Sequence, residues 1–92
     1  MYIMENFKVK DLIEVLGDFY IYIIDNNKTF PNGDDIVYWE GETDNYFKER
    51  PFGDCEVEHI SYCGEYLKTI KTPYGESTFT NAKIAILINK EN

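Results

Sequence analysis

Hydrophobic residues along the chain follow a helical period first and a strand period afterwards. Val9, Leu12, Ile13 and Leu16 stand at i, i+3, i+4 and i+7, forming one apolar stripe, and Lys10, Asp11 and Glu14 take the other side. Gly17 follows the last periodic residue, where helices commonly end. The spacing predicts an amphipathic helix over residues 8–16, with one face for a sheet. Ahead of it, residues 1–7 alternate loosely and read as a short edge strand or an arm. Behind it, Phe19-Tyr20-Ile21-Tyr22-Ile23-Ile24 is dense in aromatic and β-branched residues and predicts a strand. Phe19, Ile21 and Ile23 share one face of that strand, and Tyr20, Tyr22 and Ile24 the other.

Turn-forming residues fill positions 25–34, with Asn32-Gly33 the tightest turn signal. Residues 35–40 predict a second strand, a hairpin partner of the first, ended by Gly41. Residues 43–49 predict one or two helical turns, N-capped by Thr43 or Asp44 and stopped by Pro51 and Gly53. Residues 55–63 predict a third strand, Cys63-Gly64 a turn, residues 66–72 a fourth strand, and Pro73-Tyr74-Gly75 another turn. The last strand alternates most cleanly: Ala82, Ile84, Ile86 and Ile88 on one face, Lys83, Ala85, Leu87 and Asn89 on the other. Lys90-Glu91-Asn92 reads as a solvated tail. Strands joined by short turns pair antiparallel. The expected architecture is therefore α+β: one amphipathic helix packed on a mainly antiparallel four- to five-stranded sheet, plus a second short helix. Residues 1–92 make a single small domain with one modest core. A sheet face carrying Tyr20 and Tyr22, with Trp39 as a candidate beside them, is a contact surface or dimer interface unless the second helix covers it.

Charge adds a strong asymmetry. Residues 34–58 hold nine acids against two bases, whereas residues 1–33 hold five against three and residues 59–92 three against four. Nearly all of the net −8 therefore sits in one central stretch, interleaved with Tyr38, Trp39, Tyr46, Phe47 and Phe52. That balance argues against direct nucleic-acid binding, which needs Lys and Arg to displace counterions from phosphate. It argues equally against an anionic membrane surface. Partners drawn by long-range electrostatics are basic. No apolar run approaches a membrane span and no basic, apolar leader opens the chain, so a cytoplasmic location is expected.

Site chemistry is mostly excluded by spacing. Cys55 and Cys63 flank His59 by four residues each, which in a strand is roughly 13 Å at about 3.3 Å per residue. A Cys–His pair, a zinc site and a Cys55–Cys63 disulfide are all out of reach along an extended segment. Two cysteines fit a reducing compartment better than a disulfide scaffold. Asp25, Asn27 and Thr29 imitate the start of a calcium loop, but Phe30 and Ile36 stand where that loop needs glycine and glutamate. The glycines form no phosphate cradle, and no carboxylate pair stands out for acid–base work. No enzyme, cofactor or metal site is expected.

The remaining chemistry is that of a surface. Trp39, Glu40, Glu42, Asp44, Tyr46, Phe47, Asp54, Glu56 and Glu58 are the candidate partner-binding residues: carboxylates spaced along one edge, with aromatic anchors beside them. In layout, Val9-Lys10-Asp11-Leu12-Ile13-Glu14-Val15-Leu16, the tyrosine-rich strand, Tyr38-Trp39-Glu40-Gly41-Glu42, the short helix and the Ile-alternating last strand resemble small acidic proteins of bacteriophages and mobile elements. Some members of that class are anti-CRISPR or other anti-defence inhibitors, and several mimic nucleic acid. The resemblance implies an inhibitor that occludes the phosphate-binding groove of a basic, nucleic-acid-binding host protein. Two alternatives accompany it. One is a protein sequestering a nucleotide signal, with Tyr20, Tyr22, Trp39 and His59 stacking on a base and Arg50, Lys68, Lys71 and Lys83 meeting phosphate. The other is an assembly protein, including a homodimer, whose sheet edge pairs with its own copies.

Overall fold

The computed structural model describes residues 7–89. Helix α1 (Val9–Leu16) is followed by strands β1 (Tyr20–Thr29) and β2 (Asp35–Glu42), helix α2 (Thr43–Glu49), and strands β3 (Val57–Thr72) and β4 (Gly75–Ile88). The sheet order is β2-β1-β4-β3. β1–β2 and β3–β4 are antiparallel, whereas β1 and β4 run parallel at the centre. The α+β expectation holds, with a mixed sheet of four strands. The parallel pair arises because β1 and β4 are far apart in sequence and meet without a turn between them. The expected strand or arm before the first helix falls on residues 1–6, outside the described residues, apart from Phe7.

One face of the sheet carries the core. Val9, Leu12 and Ile13 of α1, Ile21 and Ile23 of β1, Tyr46 of α2, Val57 of β3, and Ile86 and Ile88 of β4 form a single buried cluster. Both helices contribute to this cluster, so both lie on the same side. α1 lacks a side-chain N-cap. The loop before β3 satisfies it instead: Val9 N–H donates to the Cys55 carbonyl and Lys10 N–H to that of Gly53. α2 likewise begins without a side-chain cap, at Glu42, and the expected cap residues Thr43 and Asp44 lie inside the helix. The Thr43 N–H donates to the Phe19 carbonyl across to the adjacent strand.

Four expected boundaries change. The turn expected over residues 25–34 is shorter, because β1 continues to Thr29, which pairs with Asp35, and only residues 30–34 connect the two strands. Gly41 does not end β2 but lies within it, and a Cβ there would meet the Trp39 ring at 3.0 Å, so this glycine makes room for the indole. The expected turn at Cys63-Gly64 is a bulge: β3 continues through it, with Gly64 at φ 110°. The expected third and fourth strands are therefore one. β4 also starts at Gly75 rather than near residue 82, because residues 75–82 pair with the distal half of β3. That half leaves the domain as a two-stranded arm, with residues 69–80 exposed on both faces. The arm stretches the molecule to 48 × 31 × 30 Å and its radius of gyration to 14.5 Å, against about 12 Å for a compact chain of this length.

Candidate functional site

Both helices cover one side, and among the described residues no helix covers the other, where most of the side chains are half-buried against one another. Pairing register places Tyr20, Tyr22 and Ile24 of β1, Glu40 and Glu42 of β2, Lys83, Ala85 and Leu87 of β4, and Tyr66 of β3 on this open face. Tyr20 stands at the middle of an aromatic cluster, edge-on to Tyr22 at 5.3 Å and to Tyr66 at 5.4 Å. The Lys83 amino group lies 5.9 Å from the centre of the Tyr20 ring.

Each carboxylate at this face is held. The Tyr20 hydroxyl donates to Glu40 at 2.8 Å and the Tyr66 hydroxyl to Glu42 at 3.3 Å. Asn81 donates to the Tyr66 hydroxyl at 3.4 Å. Lys68 pairs with Asp18 at 2.9 Å and reaches Glu42 at 3.6 Å. The bond to Glu40, helped by partial burial, pushes the Tyr20 phenol up to about 12. Its hydrogen bond to Asp18 holds Lys68 above its usual value. The result is a flat, preordered surface of phenol rings and fixed carboxylates.

The nine residues expected at a partner surface are not gathered in one place. Glu40 and Glu42 lie on β2, whereas Glu58 lies on β3 and Glu56 just before it. These are opposite edges of the sheet, three strand spacings or about 14 Å apart. Asp44 is exposed in the first turn of α2, beside the β2 edge. Asp54 forms an ion pair with Lys10 at 2.9 Å, which lowers its carboxyl below the usual range. With Cys55, Glu56, Glu58 and Asn89 it lines an open depression of about 440 Å³. Trp39 lies on the helix side, edge-on to Tyr46 at 5.5 Å. Tyr46 is fully buried, and its hydroxyl has no hydrogen-bond partner among the described residues. Phe47 packs against the core with Arg50 over its ring. Of the aromatic residues expected beside the acids, Tyr46 thus belongs to the core and Trp39 and Phe47 pack, partly buried, against it.

The residues that the sequence did not single out are Tyr66 and Asn81, and Lys68, expected at a phosphate, is instead paired with Asp18 and Glu42. The period-2 run Tyr66-Lys68-Ile70 carried the signal, but only the β4 register puts Tyr66 beside Tyr20. The set expected to stack on a base is split. Tyr20, Tyr22 and His59 share the open face, with His59 opposite Leu87 and two strands away from Tyr22, whereas Trp39 is on the other face. Cys55 and Cys63 are free thiols. Among the described residues, no helix is long and apolar enough to cross a membrane. Compared with family models, curated proteins and solved structures, the chain matches none.

Proposed function

We propose that this chain is a non-enzymatic interaction protein that docks its open sheet face on a basic protein surface of the kind that holds a nucleic-acid backbone. The observation that carries the reading is the half-exposed tyrosine face, covered by no helix among the described residues and bordered by Glu40 and Glu42. Tyrosines supply contact area at low entropic cost, and carboxylates held by neighbouring hydroxyls are already oriented for Lys and Arg. The net charge of −8 steers such a partner from a distance. The narrower proposal is an inhibitor, encoded by a phage or mobile element, of a CRISPR-type nucleic-acid-binding protein.

Affinity capture from nuclease-treated lysate of bacteria that carry defence systems, followed by binding of the purified partner, tests this. Binding should weaken at least tenfold as the Debye length falls from about 10 Å at 0.1 M salt to about 3 Å at 1 M. Glu40→Lys with Asp44→Lys should abolish it while Glu42, which holds Lys68, stays in place. Nucleic acid should compete. A partner that binds its nucleic acid normally while in the complex, or a double variant of full affinity, defeats the proposal.

A further inference from the structure

The arm has an unsatisfied side. β3 is the terminal strand of the sheet, and among the described residues only its first end has an outer neighbour: Val57 N–H donates to the Phe7 carbonyl and Lys8 bridges Glu56. From Gly64 to Thr72 the outer backbone edge is open, uninterrupted by proline. A two-stranded ribbon is marginal in water by itself, and a long open edge is a template for another strand. The arm nevertheless bears large apolar residues in solvent: Leu67 is 73% exposed, Ile70 43% and Tyr74 100%.

We propose that this edge pairs antiparallel with the same edge of a second copy of the chain, about a two-fold axis through Lys68. Charge selects both the occupant and the register. Residues 64–72 carry Glu65, Lys68 and Lys71, so the edge escapes the acidic excess that would make two such chains repel elsewhere. Centring the axis on Lys68 puts Glu65 opposite the second copy's Lys71, twice by symmetry. The same register places Tyr66 opposite Ile70 and Leu67 opposite Thr69. Shifting the axis by one residue either way loses the Glu65–Lys71 match. Lys68 meets its own copy on the axis, but its amino group is drawn inward to Asp18 and Glu42. The fully exposed Tyr74 of one arm then arrives near the exposed Tyr62 at the base of the other. Antiparallel arms also put the two acidic bodies at opposite ends of the assembly, where their repulsion is least.

The test needs only the purified chain, so its result is independent of any basic partner. Sedimentation over concentrations up to about 1 mM, enough to detect a millimolar Kd, should show a species of twice the 10.8 kDa chain mass and nothing larger. In a Cys55→Ser, Cys63→Ser background, Lys68→Cys should cross-link to its own copy on mild oxidation. Thr72→Cys should not, since its copy lies eight residues or about 26 Å away along the paired edges. A monomer at every concentration overturns the proposal. So does a growing series of larger species, or a dimer that cross-links through residue 72 instead of residue 68. The unmodified chain's mass keeps the test decisive if a variant fails to fold.

Discussion

Tyr46 shows how one residue can be misplaced by its type alone. An aromatic beside acids reads as a surface anchor, yet this ring fills the space between α2 and the sheet and is fully buried. Its hydroxyl is left without a hydrogen-bond partner among the described residues, and burial pushes its phenol up to about 12. Removing that hydroxyl removes a desolvated group and little packing. Tyr46→Phe should therefore leave stability unchanged or raise it by about 1 kcal/mol in urea melts, whereas a loss would mean that the hydroxyl is bonded. The same residue sets a pH response. A phenol titrates near 10 when unfolded and near 12 here, so ionisation favours the unfolded chain. The stabilising contribution is complete below about pH 10 and is lost as pH rises towards 12. The midpoint of alkaline unfolding, followed by circular dichroism, should move to higher pH in Tyr46→Phe.

Among the elements, β4 does two jobs along its length. Its second half pairs with β1 on one side and β3 on the other. Its first half pairs with β3 alone. Hydrogen exchange should be slowest over residues 84–88 and markedly faster over residues 76–80, because the flanked half opens only with the core. Equal protection along the strand would show that the arm is covered on the β4 side as well. The two helices and the β1–β2 hairpin were legible beforehand, since local periodicity places Leu12, Ile13, Ile21 and Ile23 on apolar faces. The continuity of β3 was not. Cys63-Gly64 has turn chemistry, and only the partner strand, which runs straight past it, makes the site a bulge.

At the scale of the molecule, charge works against compactness. The carboxylates of residues 34–58 are spread over both edges of the sheet, about 14 Å apart, and not gathered at a single site. That spacing lies between the Debye lengths of about 30 Å at 0.01 M and about 8 Å at 0.15 M salt. Added salt should therefore relieve repulsion and raise the melting temperature, by roughly 4–8 °C for each kcal/mol relieved. A falling melting temperature would mean that pairs such as Lys10–Asp54 and Lys68–Asp18 outweigh the repulsion.

By itself, the sequence determined the fold class, the apolar stripe of α1, the alternation of the last strand and the acidic character of the middle of the chain. These depend on neighbours within a few residues, where period and charge can be read directly. Tertiary structure alone decided that β1 and β4 lie parallel at the centre and that both helices share one face. It likewise brought Tyr66 to Tyr20, parted Glu40 and Glu42 from Glu56 and Glu58, and carried the β3–β4 hairpin beyond the core as an arm. Each of these rests on a pairing between distant segments. Such pairings are set by which apolar faces can be buried together, a competition over the whole chain that no local window contains.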